Sequence, residues 1–113
     1  MLLVDDEDGI RQLLTRQLGE NRCLRVCGAV GTGEAALAVA TVERPDVVVL
    51  DWHVPGMDPV ALMAKLRALL PGLRIVVFSS DVTAASTAVR AGAESFVAKG
   101  GDIAELIRHV LKQ

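Results

Sequence analysis

The chain has 113 residues, with 12 Lys and Arg against 14 Asp and Glu and a net charge of −2 at neutral pH. Hydrophobic residues make up 51% and charged residues 23%, and mean hydropathy is +0.41. This balance excludes a disordered tail and predicts one domain, residues 1–113, that buries roughly 65% of its unfolded surface. A near-neutral charge disfavours direct nucleic-acid binding, because phosphate contacts need a basic face. The longest apolar run, Ala35–Ala40, has six residues, far short of the ~20 that span a bilayer. No secretion leader is visible, so the expected setting is soluble and cytoplasmic, with no membrane partner.

Leu2-Leu3-Val4 is a short apolar run that stops at Asp5-Asp6-Glu7-Asp8. Ile10, Leu13, Leu14 and Leu18 then recur at helical spacing, with acids suited to the first turn. A second strand is expected at Leu24–Cys27, before Gly28 and Gly31-Thr32-Gly33. Glu34–Glu43 reads as an alanine-rich helix closed by Arg44-Pro45.

Val47-Val48-Val49-Leu50 is β-branched and apolar without alternation, as in a strand covered on both faces, and ends at Asp51. After the Pro55-Gly56 loop, Val60, Met63, Leu66 and Leu70 mark a helix that Pro71-Gly72 ends. Ile75–Phe78 is a further buried strand and stops at Ser79-Ser80-Asp81. A weaker helix covers about Thr83–Ala91, with Gly92 as its cap. Ser95–Ala98 is a short strand ending at Lys99, and Ile103, Leu106, Ile107, Val110 and Leu111 form the last helical stripe.

Five β-α units with short connections imply an α/β fold, a parallel sheet with helices on both faces. Their number and length fit a flavodoxin-like doubly wound five-stranded sheet of order 2-1-3-4-5. Cys23 and Cys27 are expected to be buried free thiols. On one strand they would lie about 13 Å apart, beyond the ~7 Å that a disulfide bridges. With His53 and His109 they fit no compact zinc spacing. His109 is expected on the exposed flank of the last helix.

Ligands of such a sheet bind outside the carboxyl ends of the strands, at the switch between strands 1 and 3. The chain delivers Asp5 and Asp6, Asp51, Ser79 and Lys99 there. Three close carboxylates repel one another unless a cation sits between them or one is protonated. Few hard oxygen ligands with room for water suit Mg²⁺, which joins carboxylates to phosphoryl groups. A carboxylate is also a nucleophile towards phosphorus. The residues therefore read as Mg²⁺-assisted phosphoryl capture on one aspartate.

The motifs LLVDDE, VVVLDWHVPGMD, VVFSS and GAESFVAK occur in this order, and 45 residues separate Asp6 from Asp51, 28 separate Asp51 from Ser79, and 20 separate Ser79 from Lys99. In this the sequence resembles the receiver domain of bacterial response regulators over essentially its whole length. The resemblance implies that Asp51 is the phosphoacceptor and that Asp6 holds Mg²⁺, with Asp5 acting through water and the His53 backbone carbonyl completing the set. It implies that Ser79 hydrogen-bonds the phosphoryl group, that Lys99 pairs with it, and that Phe96 is the aromatic switch. The implied donor is a phosphohistidine on a sensor histidine kinase, for which small acyl phosphates substitute. The implied output face, Thr83–Ala91 with Phe96 and Asp102–Leu111, would meet an effector domain or a second copy. Such a domain assists its own phosphorylation and dephosphorylation without being a turnover enzyme.

Three positions depart from the family pattern. Gly100-Gly101 follows Lys99 where Pro is usual, as in the subgroup with helix-turn-helix effectors; Pro59 stands for the usual Gly; and there is no Tyr. Trp52 is assigned to packing, and the His53 side chain to solvent. The alternative is a degenerate receiver that binds partners without phosphorylation. A haloacid-dehalogenase-like phosphatase would need Asp where His53 stands, and a flavodoxin-like nucleotide site would place phosphate against four acids.

Overall fold

The computed structural model describes residues 1–112. Five strands, β1 (Leu2–Val4), β2 (Gly28–Val30), β3 (Val47–Leu50), β4 (Arg74–Ser79) and β5 (Ser95–Ala98), alternate with five helices. The helices are α1 (Asp8–Gly19), α2 (Gly33–Glu43), α3 (Pro59–Leu69), α4 (Ala85–Arg90) and α5 (Ile103–Leu111). All strands are parallel, in the order β2-β1-β3-β4-β5. This is the doubly wound, flavodoxin-like architecture expected from the alternation of elements.

Strand side chains alternate between two cores. Leu2, Val4, Val48, Leu50, Ile75 and Val77 face one layer, where they meet Ala36 and Ala40 of α2, Leu62, Met63 and Leu66 of α3, and Ala88 of α4. Leu3, Val49, Val76, Phe78 and Val97 face the other, against Leu14 and Leu18 of α1 and Leu106 and Val110 of α5. Truncating one of these fully buried side chains, such as Leu66, would cost about 2–5 kcal/mol through lost transfer energy and the cavity left behind. Trp52 packs into the first core, as assigned.

Local chemistry sets the helix ends. Thr32 Oγ1 accepts the Ala35 N–H at 3.1 Å, Asp58 accepts that of Ala61 at 3.0 Å, and Asp102 accepts that of Ala104 at 3.0 Å. Each satisfies a donor that has no partner inside the helix. Pro59 occupies the first turn of α3, where its missing N–H costs nothing. Past α4 the chain turns through Gly92 at φ +108°. Gly100 adopts φ +91° directly after Lys99, so the turn that replaces the usual proline depends on glycine.

The second strand differs from expectation: it is Gly28–Val30, not Leu24–Cys27. Pairing decides the matter, because β1 begins at Leu2 and its register places Leu2 opposite Gly28. Below this, the Met1 amino group donates to Arg25 O and the Met1 carbonyl accepts the Cys27 N–H. Leu24 and Val26 still pack on the second core, which accounts for the strand-like pattern. Cys23 is exposed and Cys27 half-buried, and both thiols are free, so burial of the pair is corrected. His109 is half-buried rather than exposed. Leu13, Val60 and Leu111, taken as members of apolar stripes, sit at the edge of their helices in solvent. The weak fourth helix begins as a 3₁₀ turn, Val82–Ala84. Among the described residues, no helix is long and apolar enough to cross a membrane.

Candidate functional site

The backbone ladder continues one residue past the strands and thereby fixes the site. The Asp5 N–H donates to Val30 O at 3.0 Å, the Asp51 N–H to Val4 O at 2.8 Å, and the Lys99 N–H to Ser79 O at 3.0 Å. The side chains expected at the carboxyl end of the sheet are therefore delivered together.

Two of the acids are buried: Asp5 is 2% exposed and Asp51 6%. Lys99 lies between them, with Nζ 2.7 Å from Asp5 Oδ2 and 3.3 Å from Asp51 Oδ2. Asp6 and Glu7 are exposed, yet each offers a carboxylate oxygen to the same cluster; one oxygen from each of Asp5, Asp6, Glu7 and Asp51 lies within 4.8 Å of the others. Four hard oxygen donors, two of them open to solvent, can converge on a small divalent cation that keeps some of its water.

Electrostatics follow the burial. Desolvation pushes the Asp5 carboxyl above the ordinary aspartate range, against the hydrogen bonds it accepts from Lys99 and the Glu7 N–H, and the Asp51 charge pushes the same way. Burial alone would lower the Lys99 ammonium, but the Asp5 hydrogen bond and the Asp51 charge outweigh it and hold it above its usual value. Lys99 is therefore a permanent cation at neutral pH.

Around this centre the turns are pinned by side chains. Asp5 Oδ1 accepts the Glu7 N–H at 2.9 Å, and Arg11 Nη1 donates to Asp5 O at 2.6 Å. Arg11 also pairs with Asp8. Asp51 Oδ1 accepts the His53 N–H at 3.4 Å. Ser79 is fully buried, and its Oγ accepts the Asp81 N–H at 3.2 Å. The His53 ring is largely solvated, as expected, and in addition meets Asp81 with Nε2 2.7 Å from Oδ2. Hydrogen bonds from Thr83 and from His53 hold the Asp81 carboxyl below the usual range. Phe96 is half-buried against the first core.

Two residues near the centre escape a strand-end reading, Glu7 and Asp81. Each lies two positions beyond a residue already singled out, and its approach depends on the turn. A groove of about 520 Å³ lies away from these acids and is lined by Met1, Cys23, Cys27, Arg44 and Arg74 among others. The acidic site opens to solvent through Asp6 and Glu7.

A sheet of this order, with acids and a lysine at its carboxyl end, defines a doubly wound domain with one acidic crevice. A family model described as the response regulator receiver domain matches residues 1–111. The chain is 30% identical over 112 residues to the response regulator GacA of Pseudomonas aeruginosa, a match covering 97% of this chain and 52% of that protein. It is 31% identical over 115 residues to sporulation initiation phosphotransferase F of Bacillus subtilis, covering 100% of this chain and 90% of that protein. The solved signal receiver domain of NarL from Mycobacterium tuberculosis matches with a TM-score of 0.87 and 28% identity, covering 97% of this chain and 90% of that one. The chain belongs to the response regulator receiver domain family, the phosphoacceptor modules of two-component signalling. It spans about half the length of GacA, with 52% of that protein covered.

Proposed function

We propose that residues 1–113 form one receiver domain in which Asp51 accepts a phosphoryl group from a phosphohistidine of a sensor histidine kinase. The observation that carries this is the placement of the Asp51 carboxylate, buried beside the Lys99 ammonium and clustered with the carboxylates of Asp5 and Asp6. An Asp51 oxygen attacks phosphorus, the new O–P bond replaces the N–P bond, and the imidazole leaves with the bonding electrons. Lys99 stabilises charge on the phosphoryl oxygens. Ser79 turns its hydroxyl from the Asp81 N–H to donate to one of them.

The donor set fits Mg²⁺. Asp6, Asp51 and the His53 carbonyl would hold it, with Asp5 acting through water, and the ion would neutralise charge on the phosphoryl oxygens during transfer. The domain assists its own phosphorylation and dephosphorylation and is not a turnover enzyme. Movement of Ser79 and Phe96 then repacks α4, β5 and α5, and this face signals to an effector domain or pairs with a second copy. Gly100-Gly101 supports an effector of the helix-turn-helix class, which would bind DNA in place of this domain. The setting of such signalling is cytoplasmic. The complete acidic set, with its lysine and hydroxyl, leaves nothing that favours a degenerate receiver.

The test is labelling by acetyl phosphate with Mg²⁺ present. Wild-type protein incorporates one phosphoryl group and Asp51→Asn none. Trp52 is the only tryptophan and adjoins Asp51, so its fluorescence should respond to Mg²⁺ and then to beryllofluoride. Labelling of Asp51→Asn at full strength would remove Asp51 as acceptor.

A further inference from the structure

Glu7 is given no step in the transfer described above, yet its Oε1 lies 3.5 Å from Lys99 Nζ and its carboxylate stands in the cluster with Asp5, Asp6 and Asp51. Its side chain is 62% exposed, so it occupies the solvent side of Lys99, whereas Asp5 and Asp51 hold the ammonium from within. The turn that carries it is fixed, because its N–H is held by Asp5 Oδ1 at 2.9 Å. A free donor approaching Asp51 from solvent therefore meets a negative charge close to the acceptor, one that also engages the cation meant for its phosphoryl oxygens.

We propose that Glu7 is a donor-discriminating residue that slows capture of phosphoryl groups from free dianionic acyl phosphates. The proposal rests on Asp51 being the acceptor. In the step concerned, an Asp51 oxygen attacks phosphorus, the P–O bond to the acyl oxygen breaks, and the carboxylate leaves with the electron pair, so no further reactant is needed. Glu7 opposes this step by charge: it repels the dianion and competes for Lys99. A phosphohistidine presented by a docked kinase is less affected, because the protein interface supplies binding energy that a free small molecule lacks. Glu7 would thereby insulate the domain from metabolic acyl phosphates.

The experiment compares wild type, Glu7→Gln and Glu7→Asp at saturating Mg²⁺, with acetyl phosphate and with phosphoramidate, which carries less negative charge near neutral pH. Glu43→Gln, at the opposite end of the sheet, controls for net charge, and urea midpoints check folding. Glu7→Gln should be labelled by acetyl phosphate about three- to tenfold faster at low ionic strength, with the gain fading in high salt. The gain should be smaller with phosphoramidate, absent in Glu43→Gln, and absent in Glu7→Asp, which keeps the charge. A labelled wild type with an unchanged Glu7→Gln overturns this inference alone, as does an equal gain with both donors. A wild type labelled by neither donor overturns the acceptor reading and this inference with it.

Discussion

Lys99 Nζ lies 2.7 Å from Asp5 Oδ2, and the same ammonium reaches Asp51 Oδ2 at 3.3 Å. One cation thus bridges two carboxylates that come from different strands and are both nearly removed from water, while its own side chain is only 11% exposed. Removing the cation from such a set leaves two carboxylates uncompensated, which costs more than the net worth of the contacts.

Lys99→Met keeps the length of the side chain and deletes its charge. Asp5 and Asp51 then face each other without a cation, and the domain should lose about 2 kcal/mol at pH 7, below the value for a fully buried pair because the crevice is open to water. The loss should shrink at pH 5, where Asp5 takes up a proton more readily. Urea midpoints at both pH values, in the presence of a chelator, read this directly. An equal loss at both would show that Lys99 stabilises by packing alone.

Asp5 gives the pH dependence its sign. Its folded pKa lies above the unfolded one because burial disfavours the carboxylate. The stability this contributes is therefore complete below the unfolded value, about 3.9, and is lost as pH rises through the folded value. Asp5→Asn removes that titration. The difference in Tm between Asp5→Asn and wild type, measured without divalent ions, should rise as pH climbs above the unfolded aspartate value and level off once Asp5 is ionised in the folded protein, with the variant then the more stable. Adding Mg²⁺ should raise the wild-type Tm and affect the variant less. A difference that stays flat with pH would assign the titration to another group.

Arg74 links the start of β4 to the end of α5. Its guanidinium pairs with both Glu94 oxygens at 2.8 Å and also donates to the carbonyls of Val110 and His109, at 2.9 and 2.7 Å. The pairing holds Glu94 below its usual range, so this stability is present above the unfolded glutamate value and lost as pH falls through the folded one. Because Arg74 also satisfies carbonyls left open at the helix end, Arg74→Gln should cost about 2 kcal/mol and Glu94→Gln about half as much. Hydrogen exchange in the last turn of α5 should speed up in Arg74→Gln and hardly change in Glu94→Gln. Equal effects would reduce Arg74 to a partner of Glu94.

The contrast between β3 and β2 shows what the sequence could reveal. Val47–Leu50 is buried on both sides, so its apolar run has one reading. Around β2, Leu24 and Val26 carry the apolar pattern, but the hydrogen-bonded strand begins at Gly28, because β1 sets the register. Periodicity records which side chains meet the core; it does not record which backbone groups pair. Leu13 and Val60 show the same limit, since helical spacing places them near an apolar stripe without saying how far the neighbouring layer reaches. In the crevice, Asp5, Asp51, Ser79 and Lys99 were legible because each stands at the end of a strand whose direction topology dictates. Glu7 and the His53–Asp81 contact were not, because they depend on how two turns fold back.

That last contact leads to a further prediction. His53 and Asp81 lie two residues beyond Asp51 and Ser79, and their side chains meet at 2.7 Å. Each is anchored beneath: the His53 N–H donates to Asp51 Oδ1 and the Asp81 N–H to Ser79 Oγ. The pair therefore joins the loops after β3 and β4 over one side of the crevice, although both side chains remain partly solvated and the contact adds little to global stability. Asp81→Ala breaks it and removes the acceptor for Thr83 as well. Water should then reach a phosphoryl group on Asp51 more freely, and the phosphorylated form should decay several-fold faster while the urea midpoint hardly changes. His53→Ala should act in the same direction, and the double variant should add little to either single one, since all three lack the same contact. Additive effects on the decay rate would show that each side chain acts on the phosphoryl group separately and that the bridge between them is incidental.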